Sequence, residues 1–255
     1  MLKINNLSKT FNKQTDHEIR VFEGFDLEIQ KNKCTAIIGS NGCGKSTLLN
    51  MIAGSIILDG GEIKLNQKSI GKLAEEKRSA HIGRVYQDPS MGVSPSLTIL
   101  ENMSLADKKS ESFSLRRLIK KKRIPDYIKL LKELDLGLEN QLHTKVKFLS
   151  GGQRQSLSLV MATMKLPDLL LLDEHTAALD PKTSFVVMEK TREIIERNNM
   201  TTIMISHNMK DAIEYSDRII MLDRGKVILD RDSRSITESE LMNIYSAKVK
   251  QDLAS

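Results

Sequence analysis

The sequence contains few of the residues that mark secreted, metal-binding or membrane-spanning proteins. Its 255 residues include two cysteines, Cys34 and Cys43, and no tryptophan, and only 4% are aromatic. Two cysteines cannot build a disulfide framework, and neither has a His or Cys neighbour at metal-site spacing, so a reducing compartment is expected. No apolar run approaches the roughly 18 residues of a membrane span. The N-terminal residues lack the apolar core of a signal peptide, so membrane association is expected to go through a partner.

The charge of the chain is biased towards basic residues. The formal net charge is +6 and the pI is about 9.2, which alone would allow a nucleic acid or an anionic lipid as a partner. The scarcity of aromatic residues argues against a platform for stacking bases, so we expect no nucleic-acid partner. A basic cluster occupies positions 108–123; a solvated helix face is the favoured interpretation, and contact with an anionic membrane or an acidic partner is the alternative. Its members are Lys108, Lys109, Arg116, Arg117, Lys120, Lys121, Lys122 and Arg123.

A glycine-rich stretch at positions 39–47 carries the strongest chemical signal in the chain. It fits the pattern G-x-x-x-x-G-K-[ST], with Lys45 and Ser46 in the last two places. Glycines at positions 39, 42 and 44 let the backbone adopt positive φ, so that several N–H groups can converge on a triphosphate. Lys45 then places a positive charge near the β- and γ-phosphates, and the Ser46 hydroxyl suits Mg²⁺, which prefers oxygen ligands. The residues expected to hold the nucleotide are Gly39, Ser40, Asn41, Gly42, Cys43, Gly44, Lys45, Ser46 and Thr47.

The residues on either side of this loop have the arrangement that a phosphate loop requires. Residues 34–38 are a short apolar run typical of a buried parallel strand, and a helix is expected from about Ser46 until Gly54 ends it. A helix that begins at the loop also directs the positive end of its dipole at bound phosphate. Strand, loop and helix in this order predict a nucleotide-binding α/β fold.

Two further apolar runs lead into polar side chains. The run 169–173 ends in Asp173 and is followed by Glu174, and the run 200–206 is followed by His207. Because ligands bind at the carboxyl ends of strands in open α/β sheets, we expect these side chains at the site. Asp173 suits Mg²⁺, directly or through water, and Glu174 suits polarisation of an attacking water. A lone histidine is more often structural, so the case for His207 rests on its place at a strand end.

Periodicity and turn residues predict the elements of the remaining chain. Residues 1–31 alternate apolar and polar positions, which predicts strands with turns at 12–18 and at Gly24. Asp-Gly-Gly at 59–61 predicts a β-hairpin, residues 97–148 predict polar helices, and residues 223–225 predict the turn of a second hairpin. Phe11 has two interpretations on these grounds alone: a core side chain, which is favoured, or a ring that stacks on adenine.

A second motif, Leu-Ser-Gly-Gly-Gln at 149–153, is followed by the helical residues 154–164. The chain order of phosphate loop, Gln87, this signature, the acidic strand end and His207 resembles an ATP-binding-cassette ATPase. In particular, it resembles the stand-alone nucleotide-binding subunit of a transporter. The resemblance covers nearly the whole chain, and the signature separates this family from other phosphate-loop ATPases.

The resemblance implies a fold class and a division of the chain. The expected fold is α/β: a P-loop NTPase core of RecA type with a mainly parallel sheet, an N-terminal antiparallel β subdomain and an inserted α-helical subdomain that carries the signature. One ATPase domain is expected over residues 1–255. Within it, 1–87 and 165–230 form the nucleotide-binding core with the β subdomain, 88–164 the helical subdomain and 231–255 a C-terminal helical tail.

The resemblance also implies residue roles in a hydrolase that uses ATP and Mg²⁺. Phe11 matches the ring that stacks on adenine, Asp173 the Mg²⁺ ligand beside Ser46, and Glu174 the catalytic base. Gln87 matches the mobile-loop glutamine that contacts Mg²⁺ or the attacking water, and His207 matches the switch histidine at the γ-phosphate. The residues that match elements acting across a dimer interface are Ser150, Gly151, Gly152, Gln153 and Asp180.

One position departs from the family pattern. His175 follows the expected catalytic base, where the family usually has proline. It could add a donor near the subunit interface, but the favoured interpretation is a tolerated loop residue. The wording of residues 175–181 also resembles a bacterial subgroup associated with uptake of amino acids of the tryptophan or tyrosine type.

The resemblance finally implies partners and a location. We expect a head-to-tail homodimer that binds two Mg-ATP, transmembrane permease subunits, an extracytoplasmic solute-binding protein, and peripheral attachment to the cytoplasmic face of the membrane. Import of a small solute is favoured over export. The alternative is a soluble ATPase of this family that acts on nucleic acid or ribosomes, but such relatives usually carry tandem cassettes or a long coiled-coil insertion. A non-hydrolysing regulatory subunit would be expected to lose Glu174 or the signature, and both are present.

Overall fold

The structure of the chain, a computed structural model, describes residues 1–108 and 118–253. Three members of the basic cluster, Lys109, Arg116 and Arg117, lie outside the described residues. Within those residues no helix is both long and apolar enough to cross a membrane. The strands are β1 (Leu2–Phe11), β2 (Ile19–Ile29), β3 (Cys34–Gly39), β4 (Gly60–Leu65), β5 (Lys68–Ser69), β6 (Ile82–Val85), β7 (Leu169–Asp173), β8 (Thr202–Ile205), β9 (Arg218–Asp223) and β10 (Lys226–Asp232). The α-helices are α1 (Lys45–Ala53), α2 (Glu75–Arg78), α3 (Ile99–Lys108), α4 (Ile124–Lys132), α5 (Gly151–Thr163), α6 (Pro181–Arg197), α7 (Met209–Glu214) and α8 (Glu238–Leu253).

Contacts within the chain define two compact units. The first combines Met1–Arg78 with the chain from Asn199 onward, and the second is Ser79–Asn198. The predicted α/β class is confirmed, because parallel strands, helices and an antiparallel N-terminal sheet are all present. The domain boundaries predicted from the sequence stay a prediction.

The N-terminal part of the first unit is an antiparallel sheet of four strands in the order β2-β1-β4-β5. Strand β1 buries alternate side chains, Leu2 and Ile4 among them, because successive residues of a strand point to opposite faces. Gly24 lies inside β2 at φ +66°, in the stretch where the register of β1 with β2 shifts. The predicted turn at Gly24 is therefore wrong, since glycine serves a bulge as well as a turn.

The hairpin predicted at residues 59–61 is also wrong. Gly60 and Gly61 begin β4, whose partners are β1 and β5 rather than the chain just before them. A Cβ on Gly61 would lie 2.3 Å from the carbonyl oxygen of Asn6, so glycine is needed there for close approach to β1. The two-residue turn lies one strand later, at Asn66 and Gln67, with φ of 48° and 67°. Positive φ at both central residues is what such a turn requires, and Asn adopts it readily.

The parallel strands of the first unit explain its apolar runs. β3 lies between β8 and β9 and is parallel to both, while β10 returns antiparallel to β9. Every residue of β3 and of β8 is buried, as is usual for parallel strands. The second hairpin turns between Asp223 and Lys226, as predicted. The carboxyl ends of β3 and β8 lead into the phosphate loop and His207, respectively.

The second unit pairs β6 with β7 in parallel and carries α3 to α6. Its chain between 97 and 148 carries the predicted helices as α3 and α4, and irregular chain follows α4. α4 ends at Lys132, and Asp135 and Gly137 then take φ of 55° and 70°, which no α-helix can include. Short 3₁₀ turns at Leu138–Asn140 and Val146–Phe148 complete the segment before the signature.

Candidate active site

The phosphate loop joins β3 to α1 in the first unit. Gly39, Gly42 and Gly44 have φ of 148°, 81° and 110°, values that residues other than glycine rarely adopt. A Cβ on Gly39 would lie 2.2 Å from the carbonyl oxygen of Leu222 on β9, so only glycine fits there. α1 begins at Lys45, and the N–H groups of its first turn have no acceptor within the helix. The loop therefore presents the donors that an anion needs.

Lys45 is folded back onto this loop. Its Nζ donates to the carbonyl oxygens of Gly39 at 2.8 Å and Ser40 at 3.0 Å, and the residue is 5% exposed. A buried ammonium needs such acceptors because an unpaired buried charge is costly. Phosphate oxygens offer stronger acceptors than carbonyls, so the side chain is placed to transfer its bonds to a nucleotide.

His207 follows β8 and is exposed. Asn208 holds the backbone after it, because its side chain accepts the N–H of Lys210 at 3.0 Å as the N-cap of α7. His207 and Gly39 line the same cavity, which has a volume of about 290 Å³. The first unit therefore brings the predicted switch histidine to the start of the phosphate loop.

Phe11 ends β1 and is half-buried. The Nζ of Lys9 lies 5.1 Å from the centroid of its ring. A core side chain would be fully buried, so the core interpretation of Phe11 is wrong. The adenine-stacking role of Phe11 stays a prediction.

The acidic end of β7 lies in the second unit. Asp173 is 14% exposed in its side chain, and its Oδ2 accepts a hydrogen bond of 3.0 Å from Nη2 of Arg84 on β6. The side chain of Arg84 is 11% exposed, and its guanidinium carbon lies 4.5 Å from the centroid of the Tyr86 ring. A half-buried ion pair of this kind was not predicted from the sequence.

Glu174 is half-buried and has an unusual backbone conformation. Its φ is +47°, a left-handed value that costs a residue with a Cβ about 1–2 kcal/mol. The carbonyl of Glu174 accepts the N–H of Ala177 at 2.9 Å, so the chain turns sharply after it. This turn redirects the chain directly after β7, and strain of this kind is often found at functional sites.

His175 lies in the turn that follows β7, so it is a loop residue as expected, but its side chain is buried. It is 2% exposed, and its Nε2 lies 3.1 Å from Oγ1 of Thr191 on α6. The hydroxyl of Thr191 donates to the carbonyl of Val187 at 2.7 Å, which assigns the proton of the His175–Thr191 bond to Nε2. Burial lowers the pKa of His175 to about 4, so the ring is neutral at pH 7.

The burial of His175 predicts a dependence of stability on pH. The unfolded chain takes up a proton on this ring near pH 6.5, whereas the folded protein takes one up only near pH 4. Between these values the unfolded state binds more protons, so the free energy of unfolding should fall as the pH is lowered, by up to about 1.4 kcal/mol per pH unit. Urea unfolding of wild type and His175→Gln, measured from pH 7 to 4.5, should show a shallower fall in the variant. Equal slopes would contradict this prediction.

Gln87 follows β6 and is exposed. The backbone before it is anchored, because Nε2 of the buried Gln155 on α5 donates to the carbonyl of Tyr86 at 3.0 Å. The loop after it also packs closely on α5: a Cβ on Gly92 would lie 2.1 Å from Oγ of Ser158. The signature helix therefore contacts both ends of the segment that carries Gln87.

The signature forms the start of α5. Ser150 is the N-cap: its Oγ accepts the N–H of Gln153 at 3.2 Å, and Oε1 of Gln153 accepts the N–H of Ser150 at 3.1 Å. Gly152 is needed for packing, since a Cβ there would lie 2.2 Å from Cγ2 of Thr183 on α6. Ser150 is exposed, Gly151 and Gln153 are half-buried and Gly152 is buried.

Asp180 has a structural role that the sequence analysis did not consider. Its Oδ1 accepts the N–H of Thr183 at 3.1 Å, which makes Asp180 the N-cap of α6. Hydrogen bonds from the side chain and the backbone of Thr183 lower the pKa of this carboxyl. The available signal was the pair Asp180-Pro181, because aspartate is favoured at an N-cap and proline at the first helical position.

The structure places the predicted residues in two groups. In the first unit, the phosphate loop and His207 share a cavity. In the second unit, the signature packs against the start of α6, and Asp173 is paired with Arg84. The sequence analysis missed Arg84 and Gln155; the only signal for Arg84 was a charge inside an otherwise apolar strand.

Comparisons with known proteins agree with this fold and these motifs. The family described as ABC transporter matches residues 22–177. The tyrosine transport ATP-binding protein of Clostridioides difficile strain R20291 is 45% identical over 252 residues, covering 98% of this chain and 100% of that protein. A phosphonates import ATP-binding protein of Ruegeria sp. strain TM1040 is 34% identical over 259 residues, covering 100% of this chain and 98% of that one. The dimeric ATP-binding cassette MJ0796, bound to ADP and Pi, is similar with a TM-score of 0.78 and 29% identity, covering 92% of this chain and 100% of that chain.

The fold and the phosphate loop define an α/β nucleotide-binding protein. The match over residues 22–177 and the relative at 45% identity show that the chain belongs to the ABC transporter family. Within that family it is the ATP-binding subunit, and its activity is ATP hydrolysis.

Proposed function

We propose that this ATPase works as a head-to-tail homodimer with two Mg-ATP at the interface and drives import of a small solute through a separate permease. The observation that supports it most is the exposed N-cap of α5, Ser150. The exposed Ser150 and the N–H groups of the following glycines form a helix start suited to an anion. A similar cassette of known structure is a dimer with ADP and Pi, which supports two copies as the working form.

Within one copy, the phosphate loop holds the triphosphate. The glycines at 39, 42 and 44 keep the backbone close to the oxygens, and Lys45 exchanges its carbonyl acceptors for phosphate. Phe11, which is half-buried, stacks on the adenine ring. The residues that hold the nucleotide are Gly39, Ser40, Asn41, Gly42, Cys43, Gly44, Lys45, Ser46, Thr47 and Phe11.

The donor set fits Mg²⁺. Asp173 offers one carboxylate at a strand end, and Ser46 and Gln87 offer neutral oxygens. Among the described residues no cluster of three or more His, Cys, Asp or Glu is arranged to hold a metal. That is expected for Mg²⁺, which uses one or two carboxylates together with substrate phosphates and water. When bound, the ion supplies positive charge that stabilises the phosphoryl oxygens.

Hydrolysis depends on positioning and on a general base. Glu174 accepts the proton of the attacking water, from its place directly after the end of β7. Gln87 orients the same water, and His207 contacts the γ-phosphate from the cavity that it shares with Gly39. Each group acts on charge that develops in the transition state, where preorganised donors are most effective.

The second copy completes each site. Ser150, Gly151, Gly152 and Gln153 donate to the γ-phosphate held by the opposite phosphate loop. Asp180 lies on the loop that crosses between subunits, and its capping of α6 keeps that loop beside the signature within one chain. Hydrolysis removes the anion that joins the two copies, so the dimer opens.

A permease couples the opening of the dimer to transport. Gln87 senses the permease, and the signature helix α5 holds the segment around Gln87, so the two motifs are linked. A membrane partner keeps the chain at the cytoplasmic face, and an extracytoplasmic solute-binding protein delivers the solute. A similar protein is named a tyrosine transport ATP-binding protein, which favours an aromatic amino acid such as tyrosine. No observation favours action on nucleic acid or ribosomes.

The test is uptake of labelled tyrosine in native cells that lack this chain. Wild type should restore uptake, whereas Lys45→Ala alone and Ser150→Arg alone should not. Both variants together should restore roughly a quarter of it, because half of the dimers are mixed and each has one intact site. Failure of wild type to restore uptake would contradict the substrate. Failure of the mixture alone would contradict sites shared between copies.

A further inference from the structure

The ion pair between Arg84 and Asp173 has no role in the site as proposed so far. The two residues lie on neighbouring parallel strands, with Arg84 opposite Leu171 in the register. Their side chains are 11% and 14% exposed, and the atoms Nη2 and Oδ2 are 3.0 Å apart. Because water screens such a pair only weakly, each charge strongly affects what the other can bind.

The position of Arg84 is set by more than this bond. Its guanidinium lies over the ring of Tyr86, 4.5 Å from the centroid. The carbonyl of Tyr86 is in turn bonded to Nε2 of the buried Gln155 at 3.0 Å. The guanidinium of Arg84 stacks on Tyr86, and Gln155 anchors the backbone of Tyr86, so the positive charge is held next to Asp173.

We propose that Arg84 is a resident counter-ion of Asp173. Arg84 neutralises the Asp173 carboxylate when no metal is bound, and it shares this carboxylate with the metal, or releases it to the metal, when Mg-ATP binds. This inference rests on the proposed function, in which Asp173 is a Mg²⁺ ligand. A half-buried carboxylate without a counter-charge is costly, so Arg84 stabilises the metal-free protein. The same positive charge repels a divalent cation, so it also weakens metal binding.

The proposal is specific about charge. Replacing Arg84 by a neutral side chain should tighten metal binding to the nucleotide-loaded protein, whereas Arg84→Lys should leave it near the wild-type value. A purely structural role predicts the opposite, since loosening the end of β7 would weaken binding in every variant. Arg84 is thus assigned as a positioning and charge-setting residue rather than a catalytic one.

The experiment is a titration of Mn²⁺ into the full chain loaded with a non-hydrolysable ATP analogue, followed by electron paramagnetic resonance of the free ion. Arg84→Met and Arg84→Gln should bind Mn²⁺ at least about threefold more tightly than wild type. Heating the same samples supplies a second readout. Adding Mg²⁺ should raise the unfolding temperature more in the two neutral variants than in wild type.

The matched control is Arg123→Met. Arg123 also pairs with a partly buried aspartate of the second unit, since its Nε lies 2.9 Å from Oδ2 of Asp107, but neither residue belongs to the proposed site. This variant should bind Mn²⁺ as wild type does. Unchanged or weaker Mn²⁺ binding in Arg84→Gln, which keeps side-chain donors, would overturn the inference. If Mn²⁺ fails to bind even the wild-type complex, the proposed Mg²⁺ site itself is wrong.

Discussion

Glu174→Gln should lower the rate of ATP hydrolysis by at least about 100-fold while leaving ATP bound. Glutamine has the shape of glutamate but cannot accept a proton from water, so only the general-base role is lost. The backbone should tolerate the change, because both residues meet the same cost at φ +47°. Phosphate release under saturating Mg-ATP, together with binding of a fluorescent ATP analogue, measures the two effects separately.

The control for this prediction is Glu196→Gln on α6. Glu196 is 71% exposed in its side chain and lies 4.0 Å from Arg192, so its loss should change neither hydrolysis nor stability noticeably.

The molecular size of the Glu174→Gln variant in Mg-ATP is also informative, because a trapped substrate should hold two copies together. Normal hydrolysis in Glu174→Gln would mean that the base lies elsewhere. A monomer that binds ATP would mean that dimer formation needs the permease.

Arg78→Met should cost the protein about 2–4 kcal/mol of stability. Arg78 is 2% exposed, and its guanidinium donates to four backbone carbonyls, those of Met51, Ile52, Gly71 and Leu73. Two of these carbonyls lie in the last turn of α1, where no intrahelical donor remains. Methionine fills much of the same volume but removes the donor from all four carbonyls, and the bonds to Met51, Ile52 and Gly71 are buried.

Thermal unfolding followed by circular dichroism measures this loss, which should lower the melting temperature by roughly 5–12 °C in a chain of this length. Arg20→Met is the comparison. Arg20 is 64% exposed in its side chain and pairs with Glu18 and Glu23 at the surface, so its loss should lower stability by less than about 0.5 kcal/mol. Equal melting temperatures for the two variants would show that the buried network around Arg78 adds little to stability.

The parts of the site that could be predicted are those that short stretches of sequence specify. Glycines at fixed spacing before Lys45 require positive φ wherever the chain folds, and the structure has it at all three. The apolar runs before Asp173 and His207 predicted buried strands, because a fully buried parallel strand exposes no side chain that needs water. These inferences need no knowledge of distant residues.

The errors have a common physical origin. Glycine permits a turn, a bulge and close approach of two backbones, so Gly24 and Gly61 could not be assigned without the strand beside them. His175 was expected to be a tolerated loop residue, and its burial against Thr191, a residue 16 positions later on α6, was not predicted. In each case the deciding neighbour is a residue that no local pattern identifies.

The sequence by itself determined the class of this protein: the phosphate loop, the signature and the strand ends specify an ATPase of the ABC transporter family. Only the tertiary structure decided which charges and donors face one another. Arg84 and Asp173 are 89 residues apart, and Gln155 and Tyr86 are 69 apart. Such pairs meet only because the parallel strands and α5 pack together, and packing is a property of the whole chain rather than of any short stretch.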